Sequence, residues 1–138
     1  MIAISSKHRR IALGARRGFT LIELLIVVVI IGILAASAIP KFAATKGKAN
    51  FAAMKSDLHN LTTAEESFFY DSAKYTSSLT ALSFPGSHGD AISIVQATPT
   101  GWAATVTNPE SWSHFCALYI GSATAVAPAT AAGVVACQ

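Results

Sequence analysis

The sequence predicts an α+β chain: one long N-terminal α-helix, apolar in its first half and amphipathic in its second, packed against a small antiparallel β-sheet head. Three observations carry that prediction. Residues 19–39 form an apolar run broken by one acid, a one-sided apolar stripe follows over residues 51–68, and three short segments of strand character lie between residues 91 and 120. The chain allows one modest domain beside the apolar helix.

Residues 1–18 hold Lys7, Arg9, Arg10, Arg16 and Arg17, no acid, and no sustained apolar face, so they read as a processed leader. The formal charge of +3 is therefore misleading when taken whole, because lysines are outnumbered by acids after Gly18. A cut at Gly18 converts a basic precursor into a mildly acidic product, and electrostatics gives no reason to read a nucleic-acid binder.

Residues 19–40 form a transmembrane helix or filament core. At ~1.5 Å of rise per residue, the run from Phe19 to Ile39 spans the ~30 Å of bilayer hydrocarbon. The basic leader stays on the cytoplasmic side, which places residues after Pro40 outside the cytoplasm. Glu23 is the anomaly, since an ionised carboxylate in hydrocarbon costs several kcal/mol unless it is met by a cation or donors. No Lys or Arg lies between Arg17 and Lys41. A cut between Gly18 and Phe19 would place a new α-amino group on Glu23's helix face. Pro40 lacks an amide donor and crowds the carbonyl of Ala36, so a kink is expected there. Gly32 and Gly47 weaken the helix, and Gly32 permits close approach by a neighbouring helix or local unwinding.

Residues 41–70 continue as the head's amphipathic helix. Phe51, Met54, Leu58, Leu61, Ala64 and Phe68 recur at helical spacing on one face. Residues 71–90 form an irregular connection anchored by Tyr75, Leu79, Leu82 and Phe84, and ended by the turn-rich Pro85 to Asp90. Residues 91–138 supply the sheet and a C-terminal disulfide loop. Ile92 and Ile94 alternate in a first strand, while Trp102, Ala104 and Val106 share a face in a second. Thr98-Pro99-Thr100-Gly101 between them suits a type I turn. Residues 115–120 give a third strand, apolar on both faces, and residues 134–137 a short last strand or a tethered tail. Cys116 and Cys137 allow one intramolecular pairing, in a compartment where disulfides persist. Its loop is worth roughly 3 kcal/mol by chain entropy.

The basic leader, Gly18, then Phe19-Thr20-Leu21-Ile22-Glu23-Leu24, the apolar run and Pro40 together resemble the N-terminus of type IV pilins and their pseudopilin relatives. The likeness is close over about the first third of the chain, and residues 65–79 resemble a pilin helix-to-loop passage more loosely. It implies cleavage after Gly18 by a prepilin peptidase that also N-methylates Phe19, and an assembly role for Glu23. It also implies loss of helix between Gly32 and Pro40 in a filament, and variation and partner contact in the disulfide-closed segment 117–136. Phe19 as first mature residue favours a type IVa-like major pilin, although the leader is longer than that class usually carries. The implied life history is a subunit held in inner-membrane lipid, head in the periplasm, then polymerised with identical subunits by the pilus assembly machinery into a surface filament. Adhesion, twitching motility or DNA uptake would belong to the fibre, and nucleic acid would be met only through the assembled pilus.

Rival readings remain open. A type II secretion pseudopilin or minor pilin shares this N-terminus, but the major pseudopilin's head typically binds calcium through acidic loop residues, and the late chain offers Asp90 and Glu110 alone. An ordinary signal peptide with an Ala36-Ser37-Ala38 cleavage site would release a secreted binding domain starting at Ile39. Against it stand the acid inside the apolar run and apolar character that continues to Ile39. His59, His88 and His114 are scattered, and no catalytic constellation, metal-ligand spacing or cofactor motif emerges. The chain reads as a substrate of processing enzymes, not as an enzyme. Its aromatics, including Phe42 and Tyr70, read as core and interface.

Overall fold

The computed structural model describes residues 18–138. Helix α1 runs Leu21–Ser72 without interruption through Gly32, Pro40 and Gly47, and is followed by strands β1 (Ala91–Thr98), β2 (Gly101–Thr107), β3 (Phe115–Gly121) and β4 (Ala136–Cys137). This is the α+β architecture expected from the sequence. The chain falls into two units, Met1–Ser37 and Ala38–Gln138, with the boundary inside α1. The leader expectations on residues 1–17 lie outside the described residues.

In the first unit the described part of α1 is apolar all round and open to its surroundings: Leu21 to Leu34 includes no large hydrophobic side chain that is buried. The helix is long and apolar enough to cross a membrane. Such a surface is stable only against lipid or other helices, because in water every one of those side chains would forfeit its transfer free energy.

The second unit owes its stability to a core of its own. Met54, Leu58 and Leu61 on α1 meet Ile94, Trp102, Ala104, Val106, Cys116 and Leu118 of the sheet, with Phe51, Tyr75, Leu79, Leu82 and Phe84 packed around them. The expected helix face departs at its far end. Ala64 and Phe68 are half-buried, and the fully buried position after Leu61 is Glu65. Asp57 is buried as well. A charged residue takes such a position only when donors come to it. Both Asp57 oxygens accept bonds from Ser87, from its amide at 2.6 Å and its hydroxyl at 2.8 Å. Glu65 Oε2 accepts the Thr76 amide at 3.1 Å. The irregular connection is thus pinned to the helix by two carboxylates.

The sheet is antiparallel in the order β1-β2-β3-β4. Strands β1 and β2 pair up to Thr98 and Gly101, joined through Pro99 and Thr100. A two-residue hairpin usually takes a turn with positive φ, but Pro99 fixes φ near −65°. Neither turn residue has positive φ. Beside the turn the Thr98 hydroxyl donates to the Gly101 carbonyl at 2.8 Å, which ties the two strand ends together. A bulge places Val95 outside the pairing, so the core-facing residues shift from Ile92 and Ile94 to Ala97. That change of phase is why β1 runs past the alternation visible in sequence.

The second face of the sheet is also covered. Ala103 and Ala117 lie there by alternation and are fully buried, although neither joins the helix-facing core. Gly133 donates its amide to the Tyr119 carbonyl at 2.8 Å, and the Tyr119 hydroxyl donates to the Thr130 carbonyl at 3.3 Å. These two bonds tie the Ala- and Thr-rich chain near residues 130–133 to β3, while Val135 packs against the helix-facing core. A disulfide joins Cys116 to Cys137, which stand opposite each other in β3 and β4. It closes this segment, and with 21 residues of separation the constraint is worth roughly 3 kcal/mol in the chain-entropy account.

Candidate assembly site

The N-terminal site is built on the first turn of α1. Helix amides at a terminus have no intrahelical acceptors, and Thr20 and Glu23 answer that need reciprocally. The Thr20 hydroxyl accepts the Glu23 amide at 3.2 Å, and Glu23 Oε2 accepts the Thr20 amide at 2.9 Å and its hydroxyl at 2.7 Å. This is a capping box, typically worth about 1 kcal/mol. The Thr-x-x-Glu spacing that announces it stands in the sequence, and a reading that looks only for a cation opposite Glu23 passes over it. One carboxylate oxygen is engaged, while Oε1 makes no hydrogen bond among the described residues.

Gly18 and Phe19 precede the helix, and Phe19 is 76% exposed. Gly32 has open space around the position of an added Cβ. Pro40 lies within the helix, and leaves the Ala36 carbonyl without an intrahelical amide partner.

In the head, the loop between β2 and β3 docks on α1. Trp112 donates its amide to the Gly47 carbonyl at 3.1 Å, and Lys46 pairs with Glu110 at 2.7 Å. A Cβ at Gly47 would stand 3.5 Å from the Trp112 amide nitrogen, an ordinary contact, so the docking does not itself require glycine. The Lys46 ammonium holds the Glu110 carboxyl below its usual range. Nearby, Asn108 Nδ2 donates to Asp90 Oδ1 at 2.5 Å. Burial, reinforced by the Asp57 carboxylate, pushes the Asp90 carboxyl up. Burial likewise pushes up Glu65, whose Oε1 is buried without a hydrogen-bond partner. Among the described residues no three His, Cys, Asp or Glu side chains gather as a metal site.

Residues 13–39 match the family described as the prokaryotic N-terminal methylation motif. The chain is also 45% identical over 74 residues to the type IV major pilin protein PilA of Myxococcus xanthus, covering 54% of this chain and 34% of that relative. It is 44% identical over 66 residues to the type IV wide pilus major component PilA4 of Thermus thermophilus, covering 48% of this chain and 50% of that relative. A type II secretion system core protein G of Klebsiella michiganensis is 38% identical over 61 residues, covering 44% of this chain and 43% of that relative. The chain thus matches half the length of these relatives or less. It is similar to type IV pilins and to type II secretion pseudopilins, a likeness carried by the N-terminal motif and about half of the chain.

Proposed function

We propose that the chain is the structural subunit of a type IV pilus. It is processed by prepilin peptidase between Gly18 and Phe19, N-methylated on Phe19, held in the inner membrane with its head in the periplasm, and polymerised into a surface filament serving adhesion, twitching motility or DNA uptake. The observation that carries this reading is the exposed apolar helix with one acid in its first turn. Glu23 Oε2 is spent on the Thr20 cap. Oε1 remains to meet the Phe19 amine of a neighbouring subunit, drawing a helix that leaves the bilayer into register. Losing one partner of such a pair is costly even where the pair itself adds little net stability. Packing of the helices inside the fibre would open the stretch between Gly32 and Pro40, where the Ala36 carbonyl already lacks its helical partner.

The test is Glu23→Ala. Processed, membrane-held protein with sheared-fibre yield reduced by about tenfold or more is expected, the loss of one buried charge partner being worth ~2 kcal/mol or more. Fibres at the normal yield would overturn the assembly role. N-terminal sequencing of the mature protein separates the pilin group from a secreted domain: N-methylated phenylalanine at position 19 supports processing at Gly18, and Ile39 as first residue refutes it. The second reading, a type II secretion pseudopilin, is favoured by the match to core protein G. A head whose melting temperature rises sharply with calcium would move the assignment to it.

A further inference from the structure

At the end of the head where the β2–β3 loop meets α1, Lys48, Phe51, Trp112 and Ser113 line an apolar groove. Trp112 is 68% exposed, and the Lys48 ammonium stands 4.9 Å from its ring centroid. An exposed tryptophan carrying a cation suits an occupant with both an aromatic ring and an anion.

The opposite end of the head carries that pair. Tyr70 is 90% exposed, and Asp71 follows it in the last turn of α1, where no basic residue stands. The helix C-terminus is already the negative end of the macrodipole, so Asp71 adds like charge to it. Exposed Glu66 adds more, and Lys74, just beyond the helix, pairs with neither acid. Among the described residues no cation pairs with this anionic aromatic corner. Lys48 cannot supply one within the same subunit, because 23 residues of helix separate the two by about 35 Å.

We propose that the Lys48–Phe51–Trp112 groove of one head receives the Tyr70–Asp71 corner of a second copy of this chain, so that heads stack end to end. The contact is heterologous, two different patches on each subunit, and such contacts propagate into open helical polymers instead of closing as dimers. This inference rests on the filament reading above and adds to it the surfaces by which the heads engage.

Two measurements test it, on wild-type protein first shown to form fibres, so that failure of the filament reading is seen separately. Trp102 is wholly buried, so acrylamide quenching of tryptophan fluorescence reports Trp112. Quenching should fall severalfold from detergent-held subunit to sheared fibre, and unchanged quenching overturns the proposal. The second is a charge exchange. Lys48→Glu and Asp71→Lys alone should each cut fibre yield by about tenfold, as expected for an interfacial charge pair, and the double variant should restore it. Asp71→Lys favours the isolated helix, because it puts a cation at the C-terminal end, so its assembly defect cannot be laid to unfolding. Singles at wild-type yield, or a double that fails to recover, would each overturn the contact.

Discussion

Glu65 shows how a single side chain departs from the pattern that surrounds it. Its position continues the spacing of Met54, Leu58 and Leu61, and it is fully buried with them, yet it carries a carboxylate. The Thr76 amide serves one oxygen, and the other has no partner. Burial raises its pKa above the ordinary 4.5, so the folded head binds this proton more tightly than the unfolded chain does. The stabilisation is therefore gained as pH falls through the raised pKa and lost as pH rises above it. Asp90 is shifted in the same direction. The head should melt higher in mild acid than at neutrality. Glu65→Gln, which keeps an acceptor for Thr76 and removes the charge, should raise the neutral-pH melting temperature by several degrees, equivalent to about 1 kcal/mol. It should also flatten the acid dependence without abolishing it, because Asp90 remains. Melts followed by circular dichroism between pH 5 and 8 decide the matter, and an unaltered pH slope in the variant would count against this role.

At the scale of elements, the hairpin end of the sheet is the least forgiving place in the head. Gly101 and Gly121 face each other across β2 and β3. Gly121 has φ of 64°, and a Cβ there would collide with the Thr100 carbonyl oxygen. Gly121→Ala combines left-handed strain with a backbone clash, and should cost at least about 2 kcal/mol. Denaturant titration of the purified protein measures it, and a loss below about 0.5 kcal/mol, the range of an indifferent surface change, would show that the two strand ends part freely. The helix and three strands were legible because their residues repeat with the period of the element: Met54, Leu58 and Leu61 at helical spacing, Trp102, Ala104 and Val106 at two. Asp57 and Glu65 were not, because what lets them sit in the core is a pair of amides, at Ser87 and Thr76, that sequence distance hides. The resemblance singles out the disulfide-closed segment 117–136 for variation and partner contact, but its ties to β3 through Thr130 and Gly133 were not legible. Its alanines have no period from which a packing face could be read.

For the whole molecule, the division inside α1 separates two ways of hiding apolar surface. Every residue of the head core lies after Ala38, from Phe51 to Cys137, and the connection, hairpin and disulfide that hold it together lie there too. Residues 21–37 contribute no side chain to that core. Their exposure is the surface that lipid or neighbouring helices must cover, and none of it is needed to close the head. A fragment comprising Ala38–Gln138 should therefore remain in solution without detergent and melt as one cooperative transition with the native near-ultraviolet signal of buried Trp102, whereas the processed full chain should demand detergent or polymerise. Ile39 and Phe42, at 68% and 75% exposure, stay on the fragment's first turn, but two isolated side chains are within what soluble proteins carry. A fragment that aggregates, or that stays soluble with no cooperative melt, would mean that the head borrows stability from the apolar half of the helix, and that anchoring and folding are one process in this chain.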